Sequence, residues 1–332
     1  MSIKALRKIQ LGREATAGTP VAATTIWRGM GTLEDQRETK FVEEDIGYIS
    51  GVDRSYVPKL QGSIEFESVE ATFEQLPHIL EAGIKAIGTG VADGSGSGKI
   101  YDYTLPVATA NTIKTYTIQG GDDQEAERME YAFVSELNLT GKASEAWMMG
   151  ATWLGRQVAL NAFTTSLSVP IVEEILFSKT KLYIDAVTGN FGATLKSNTL
   201  LEASFTVKTG WMPVFTADGN LYFSFIKLTP PEATLDITFE HDATAAAEKV
   251  NWRNQTPRLI QLKAEGSALA TPGTTYTYKT LIINLAGKWE KFDKIAEADG
   301  NDIITGTFRG RYNATKAAFG NIVVVNELVT VP

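Results

Sequence analysis

The chain has 332 residues, of which 43% are hydrophobic and 21% charged, and this balance is typical of a globular rather than a disordered protein. It contains no cysteine, which excludes disulfides, thiolate metal sites and thiol nucleophiles, and its formal net charge of -8 argues against wrapping nucleic acid through phosphate contacts. Residues 1–18 lack the continuous apolar segment of a secretory signal, and no apolar run is long enough to span a membrane, so we expect a protein that folds where it is made.

The predicted elements of the first half are mostly strands. Residues 63–69 alternate apolar and polar side chains, which is the pattern of a half-buried strand. The next segment, 72–86, places apolar residues on one side of a helix and opens with Thr72 and Gln75 in capping-box spacing. Further strands are predicted at 100–105, 112–119, 131–140 and 146–154.

A glycine-rich segment at 88–99 separates this helix from the next strand. Its glycines do not have the spacing of a phosphate-binding loop, and Lys99 is followed by isoleucine rather than serine or threonine. We therefore expect a flexible exposed loop.

The second half contains the same kinds of element. Residues 233–240 alternate apolar and polar side chains, and 242–255 is an alanine-rich helix that begins at Asp242 or Thr244 and is stopped by Pro257. The other predicted strands are 180–185, 200–208, 221–228, 258–265, 276–285, 303–309 and 322–329.

Two pairs of short motifs occur in the same order in both halves. "LNLTGK" at 137–142 is followed by "ATWLGRQ" at 151–157, and "INLAGK" at 283–288 is followed by "GTFRGRY" at 306–312. Each half also has one alternating strand that leads directly into its helix, so we expect a mainly β protein with the same strand order twice. The predicted domains are two tandem β-sandwich or barrel domains, 1–165 and 166–332, each with a short flanking α-helix.

The sequence contains no recognisable catalytic or metal-binding pattern. The two histidines, His78 and His241, are not spaced for a zinc site or a catalytic triad, and no Gly-x-Ser-x-Gly motif occurs. Carboxylates are plentiful in polar runs, where a solvated face explains them. We therefore expect no enzyme activity, cofactor or metal, although a carboxylate pair of a β-sandwich glycosidase stays an open alternative.

The segment "LGREATAGTPVAATTIWRG" at 11–29 carries a resemblance to a known family. It is similar to the opening of the tail tube (major tail) proteins of long-tailed bacteriophages, which commonly begin with a Gly-x-Glu-x-Thr-x-Gly-Thr-Pro-Val-Ala-Ala-Thr-like stretch. The residues that fill this pattern are Gly12, Glu14, Thr16, Gly18, Thr19, Pro20, Val21, Ala22, Ala23 and Thr24.

The resemblance implies a structural virion protein. Members of the family are β-sandwiches whose inner sheets join into a closed ring, and the rings stack into the hollow tail tube through which DNA is ejected. Two such domains in one chain imply a ring of three copies instead of six. The implied partners are further copies of the chain, a tape-measure protein, a tail-tip initiator, a tail terminator and DNA in transit without specific binding, with no membrane. The implied location is the virion tail, assembled in the host cytoplasm.

A different class of function stays open. A β-sandwich carbohydrate-binding module, an adhesin or a virion decoration protein would have the same composition, because aromatic side chains stack on sugars as well as in cores. Exposed aromatic side chains would favour this alternative.

We expect the polar faces of the two strands that precede the helices to line the bore of the tube. Glu65 and Glu67 in the first strand, with Asp236 and Glu240 in the second, would then repel the phosphates of passing DNA. The apolar residues of these strands should pack into the core; they are Ile64, Phe66, Leu235, Ile237 and Phe239.

Two polar, glycine-containing segments, 36–58 and 88–99, are too long for tight hairpins, and we expect them to contact other subunits or rings. The N-terminal arm, 1–25, and the C-terminal strand, 322–331, are expected to reach neighbouring copies as well. The assembly-loop residues predicted here are Asp45, Tyr48, Asp53, Asp93, Gly96 and Lys99.

Overall fold

A computed structural model of the chain describes residues 4–332, and it is mainly β with two α-helices. The strands β1 to β12 span, in order, Lys8–Arg13, Thr25–Trp27, Leu33–Asp35, Glu38–Phe41, Ser55–Lys59, Gly62–Glu70, Val91–Ala92, Lys99–Thr104, Tyr116–Gly121, Ala126–Lys142, Met148–Gly155 and Val158–Leu160. The strands β13 to β23 span Thr180–Ala186, Leu195–Lys196, Leu200–Lys208, Trp211–Val214, Phe225–Leu228, Glu232–Glu240, Arg258–Ala268, Tyr278–Phe292, Ala296–Ala298, Asn301–Gly310 and Gly320–Asn326. The helices are α1, Leu76–Gly83, and α2, Ala243–Arg253, and two short 3₁₀ helices lie at Lys4–Leu6 and Phe177–Lys179.

One antiparallel sheet runs through both halves, and we call it the shared sheet. Its strand order is β3–β6–β11–β10–β15–β18–β22–β20. The first four strands come from the first half of the chain and the last four from the second half. The two sets meet at β10 and β15, which pair from Glu136 opposite Lys208 to Lys142 opposite Glu202.

Two further antiparallel sheets flank the shared sheet. The first flanking sheet has the order β2–β1–β9–β10–β12, and the second has the order β14–β13–β19–β20–β23–β8–β7. The long strands β10 and β20 belong to two sheets each, because their N-terminal parts pair in a flanking sheet and their C-terminal parts in the shared sheet. The buried side chains between the sheets form one continuous core that includes both halves.

The strand order of the first half recurs in the second. In the shared sheet, the order β3–β6–β11–β10 of the first half corresponds to the order β15–β18–β22–β20 of the second half. In the flanking sheets, β1 and β9 correspond to β13 and β19. Each copy even has an irregularity at the same place. The register shifts between Val134 and Glu136 in β10, and between Trp289 and Lys291 in β20.

The pairings correct one of the two motif alignments. Trp153 lies opposite Ile64 and Val134, and Phe308 lies opposite Leu235 and Trp289, so the Gly-Arg motifs are equivalent with an offset of 155 residues. The Asn-Leu motifs are not equivalent. The first lies where β10 pairs in the shared sheet, whereas most of the second lies where β20 still pairs in the second flanking sheet.

The helices are shorter than predicted. Helix α1 begins at Leu76 instead of Thr72, and residues 73–75 form a turn in which the Gln75 backbone N–H donates to the Thr72 hydroxyl. The Gln75 side chain does not complete the capping box, because its amide donates to the Ile26 carbonyl instead. Helix α2 begins after Asp242, whose carboxylate accepts a hydrogen bond from the Ala245 N–H, so that predicted cap is confirmed.

The two terminal strands are paired within the chain, so the expected contacts of the termini with neighbouring copies stay a prediction and would not use the edges of these strands. Strand β1 is paired on both edges, with β2 and β9, and β23 is paired on both edges, with β20 and β8. The pairing of β23 with β8 crosses the predicted boundary at 165/166, as the pairing of β10 with β15 does. Residues 1–3 of the predicted arm lie outside the described residues.

Candidate assembly surfaces

The shared sheet has one apolar and one polar face. The apolar residues predicted to face the core are buried, which confirms the alternation; they are Ile64, Phe66, Leu235, Ile237 and Phe239. The intervening residues point away from the core, so the sheet brings Glu65 and Glu67 of β6 to the same face as Asp236 and Glu240 of β18.

Carboxylates outnumber cations on this polar face. The acidic side chains are Glu34, Glu65, Glu67, Glu70, Glu136, Glu202, Glu232, Asp236, Glu240 and Glu290, and the basic ones are Lys142, Lys208, Lys288, Lys291 and Arg309. Arg309 is held by two of the carboxylates, Glu232 at 3.1 Å and Glu290 at 3.3 Å. The face therefore has negative potential, and the excess is greatest on β3 and β6.

Two shallow depressions interrupt the polar face. One, of about 610 Å³, is lined by Glu65 and Glu67, and the other, of about 350 Å³, is lined by Asp236 and Glu202. The Thr307 hydroxyl donates a short hydrogen bond to the Asp236 carboxylate, which fixes that side chain against the sheet.

The joint between the two halves has a second component beside the β10–β15 pairing. The hairpin formed by β16 and β17 leaves the shared sheet after β15 and packs on the first half. Its Trp211 and Phe223 form a small apolar cluster with Tyr131 and Phe133 of β10. Arg156 closes the contact, because its guanidinium donates to the backbone carbonyls of Phe223 and Ser224 at 3.0 and 2.7 Å.

The two ends of the shared sheet are free edges. Among the described residues, β3 pairs with no strand but β6, and residues 288–292 of β20 pair with no strand but β22. One carbonyl of the β20 edge, that of Glu290, accepts a hydrogen bond from the Trp252 indole at 3.0 Å. Unpaired N–H and C=O groups at such edges are sites for strand addition from another chain.

The segment 36–58 forms a second hairpin, β4–β5, which is exposed along its length. Three of the predicted assembly residues, Asp45, Tyr48 and Asp53, lie in the exposed loop between its strands. Large apolar side chains are also exposed here: Phe41 69%, Ile46 49%, Tyr48 75%, Ile49 109% and Tyr56 54%. An apolar group of this size on a projecting hairpin is typical of an interaction surface.

The other three predicted assembly residues lie elsewhere, in the segment 88–99, which is exposed at about half of its residues but is tied to the second half at the others. Asp93 is buried, and its carboxylate accepts hydrogen bonds from the backbone N–H groups of Thr275 and Tyr276. A side chain on Gly96 would collide with Gly273, and Lys99 begins β8 opposite Asn326. This segment joins the first half to the second within one chain.

Glu14, in the segment that carries the family resemblance, is a buried hydrogen-bond centre. Its carboxylate accepts from the backbone N–H groups of Gly18 and Tyr131 at 2.7 and 2.8 Å, and from the hydroxyls of Thr115 and Thr117. Burial nevertheless raises the pKa of Glu14 above its ordinary value. Gly18 adopts a φ of +78°, in the left-handed region, which favours glycine. The motif therefore has a structural role in docking the N-terminal segment on β9 and β10.

Each helix carries one buried glutamate that is held by an arginine of the flanking sheet. In α1, Glu81 accepts two hydrogen bonds from Arg13 at 2.6 and 3.0 Å. In α2, Glu248 accepts two from Arg258 at 3.1 and 2.7 Å, and one from the Trp289 indole at 2.9 Å. Sequence reasoning missed both pairs.

His78 and Tyr116 extend the first of these groups into the core. The Tyr116 hydroxyl donates a short hydrogen bond to the Glu81 carboxylate and lies 3.0 Å from His78 Nδ1. His78 and Glu81 are three residues apart, so they lie on the same side of the helix. This spacing is the feature of the sequence that could have indicated that the two side chains are neighbours. Burial, with the nearby charge of Arg13, lowers the pKa of His78 to about 3, so the imidazole is neutral.

In residues 4–332 we find no group of three or more histidines or acidic residues arranged to hold a metal ion. None of the helices in the same range is long and apolar enough to cross a membrane. No protein-family model matches the chain, and no curated protein is significantly similar to it.

Proposed function

We propose that this protein is a tail tube protein of a long-tailed bacteriophage, with a structural rather than a catalytic role in the virion. The observation that carries the proposal is the shared sheet, in which two four-stranded units of the same order are joined edge to edge and end in two free edges. Repeating the β10–β15 joint between chains, with β20 of one copy beside β3 of the next, would close a ring that has no exposed strand edges.

In the proposed ring, the two halves of each chain, 1–165 and 166–332, act as two tube units, so that three copies supply the six units of a ring in this family. The first half contributes β7 and β8 to the second flanking sheet. This contribution, together with the hydrogen bonds that the Asp93 carboxylate accepts from Thr275 and Tyr276, supports a fixed arrangement of the two units within each chain.

The polar face of the shared sheet would line the bore. Its excess of carboxylates, including Glu65, Glu67, Asp236 and Glu240, repels DNA phosphates and offers few cations to hold them, so DNA passes without binding. The β4–β5 hairpin projects from the sheet and provides contacts to neighbouring subunits or rings. Further proposed partners are the tape-measure protein, the tail-tip initiator and the tail terminator, with assembly in the host cytoplasm.

Two measurements test this function. Negative-stain microscopy of concentrated protein should show rings or hollow tubes. In the phage that encodes the protein, replacing Glu65, Glu67, Asp236 and Glu240 with lysine should leave tubes intact but slow DNA ejection, most strongly at low salt where screening is weakest. The matched control replaces the same four residues with glutamine or asparagine and should slow ejection much less. Unchanged ejection through intact lysine-substituted tubes would contradict the bore assignment, and dispersed particles of other shapes would contradict the tube.

One observation favours the alternative of a carbohydrate-binding, adhesin or decoration module. Tyr48 and Tyr56 are exposed on the β4–β5 hairpin, and exposed tyrosine rings are platforms on which sugars stack. A glycan array with the wild-type protein and the Tyr48→Ala variant separates the two functions. Binding that depends on Tyr48, without tube formation, would establish the module.

A further inference from the structure

The β4–β5 and β16–β17 hairpins occupy equivalent places in the two halves. The first connects β3 to β6, and the second connects β15 to β18, which are the corresponding strands of the shared sheet. Their surroundings differ. The β16–β17 hairpin packs on the first half of its own chain. The β4–β5 hairpin touches the second half only at its base, where Lys59 lies over the Phe215 ring, and the rest of it is exposed.

Arg156 shows how such a hairpin is held. It follows Gly155, the last residue of β11, and its backbone N–H donates to the Glu130 carbonyl at 2.9 Å. From this fixed position its guanidinium donates to two carbonyls of the hairpin and lies over the rings of Tyr131 and Tyr222 at 4.5 and 5.0 Å.

Arg311 is the counterpart of Arg156 in the second half, at the same offset of 155 residues that relates Trp153 to Phe308. It follows Gly310, the last residue of β22, and its backbone N–H donates to the Ala286 carbonyl at 2.8 Å. Its side chain is exposed, and within the part of the chain that the structure describes its guanidinium has neither a hydrogen bond nor an ion pair. We call the residue after the glycine that ends β11 or β22 the clamp position. Arg156 binds a hairpin from this position, whereas Arg311 has no hairpin to bind among the described residues of its own chain.

The charges of the two free surfaces are complementary. The β4–β5 hairpin has three exposed carboxylates outside its own ion pairs, those of Glu43, Asp45 and Asp53. The position equivalent to the apolar Phe133 is Lys288, which lies opposite Arg309, so the second half has a cation where the first half has an aromatic ring. Lys288 and Arg311 therefore suit the acidic residues of the β4–β5 hairpin.

We propose that Arg311 binds the β4–β5 hairpin of a second copy of this chain, in the way that Arg156 binds the β16–β17 hairpin within one chain. The contacted stretch is 52–55, which precedes or begins β5 as Phe223 and Ser224 precede β17. The inference rests on the proposed function, since it supplies the contact that joins one copy to the next. It specifies that Arg311, in the second half of one copy, contacts the β4–β5 hairpin in the first half of the next copy.

Crosslinking tests this contact directly, because the chain has no cysteine of its own. Untagged Asp53→Cys protein is mixed with Arg311→Cys protein that carries a size tag, and a short bismaleimide is added, since the length of the arginine side chain separates the two backbones. A crosslinked product of intermediate size is expected at low salt and should decrease as salt is added. Lys179→Cys replaces Arg311→Cys in the control, because Lys179 is also exposed and lies far from the clamp position in sequence.

Charge reversal provides the second measurement. Arg311→Glu should reduce self-association about tenfold or more, with a thermal unfolding midpoint close to that of the wild type, because the side chain is exposed. Lys179→Glu should leave self-association unchanged. Tubes that form with Arg311→Glu and without the 53–311 product would overturn the inference and leave the proposed function standing. The 53–311 product in particles that are not rings or tubes would support the inference and contradict the proposed function. Absence of the product at every concentration overturns the inference.

Discussion

At the scale of single residues, the side chains that fix this fold are polar groups in the core. Glu14 accepts a hydrogen bond from the distant backbone N–H of Tyr131, and Asp93 accepts from those of Thr275 and Tyr276, so each joins segments that would otherwise be loops. Leaving such donors unsatisfied in a buried site costs about 1–3 kcal/mol each. These residues explain why a glycine-rich stretch at 88–99 and an N-terminal segment at 11–29 are both ordered parts of the structure.

His78 makes the stability of the fold depend on pH. Its pKa is about 3 in the folded protein and about 6.5 when unfolded, so the unfolded chain binds the proton first as the pH falls. Stability contributed by the neutral imidazole is complete above pH 6.5 and is lost toward pH 3, with a loss of about 2 kcal/mol between pH 6.5 and pH 5. Urea unfolding of the wild type and His78→Gln at these two pH values measures it.

The comparison with His78→Gln is needed because several carboxylates also make stability depend on pH, and two buried ones act in the opposite sense to His78. Burial raises the pKa of Glu14 and of Glu81, so their contribution to stability falls as the pH rises through the folded value. Both are present in the variant, and they cancel in the difference. Equal losses of stability in the wild type and in His78→Gln would show that the histidine is not responsible.

At the scale of elements, the two helices are attached to the flanking sheets by the same device. Glu81 on α1 and Glu248 on α2 are both buried and both bind an arginine with two hydrogen bonds. Neutralising either carboxylate leaves a partly buried guanidinium without its counter-charge. We expect Glu81→Gln and Glu248→Gln to lower the free energy of unfolding by about 3 kcal/mol each.

The matched control for these two substitutions is an exposed ion pair at the C-terminal end of β20. Lys291 and Asp293 are 3.2 Å apart with more than half of each side chain exposed, so Asp293→Asn should change the free energy of unfolding by less than about 0.5 kcal/mol. Unfolding in urea gives all three values. A cost below 1 kcal/mol for both glutamates would mean that the helices are held by apolar packing alone.

Much of the strand content follows from alternation in the sequence, whereas the boundaries do not. Strands β6 and β18 were predicted nearly to the residue because most of each strand alternates between apolar and polar residues. Strands β10 and β20 are longer than predicted, since each passes from one sheet into another and changes the face that it buries on the way. Alternation of apolar and polar residues does not show where a strand leaves one sheet and enters another. The Asn-Leu motifs were aligned wrongly because the first lies after this change of sheet in β10, whereas most of the second lies before it in β20.

The candidate surfaces were predictable to a similar degree. The polar face that contains Glu65 and Asp236 follows from alternation, because one face of a sandwich sheet must meet water. The buried roles of Asp93 and Glu81 were not predictable, because they depend on long-range contacts that a local pattern does not contain. The same is true of Arg156, whose partner carbonyls lie 67 and 68 residues further along the chain.

At the scale of the whole molecule, the two halves are joined edge to edge within the chain, and within residues 4–332 the two outer edges of the shared sheet are left without a partner strand. The joint within the chain uses the β10–β15 pairing and the β16–β17 hairpin. The free ends present the same kinds of element, an unpaired strand edge and a hairpin. A molecule built in this way has the parts needed to repeat its internal joint between copies, which is the basis of the proposed ring.

Two deletions separate assembly from folding at this scale. The first replaces 42–54 with Asn-Gly, which connects β4 to β5 through a two-residue turn at Phe41 and Ser55, residues that already pair. The removed segment is exposed, so the unfolding midpoint should stay within a few degrees of the wild type while ring and tube formation is lost.

The second deletion removes 90–98 and with it Asp93, whose carboxylate holds the turn at Thr275 and Tyr276. We expect this deletion to destabilise the monomer by about 3 kcal/mol or more, because several backbone donors lose their acceptor at once. Thermal unfolding and negative-stain microscopy of both variants decide the matter. Normal tubes from the first variant would remove the β4–β5 hairpin from the assembly contact, and a wild-type unfolding midpoint for the second would show that 88–99 is the accessory loop that its glycines suggest.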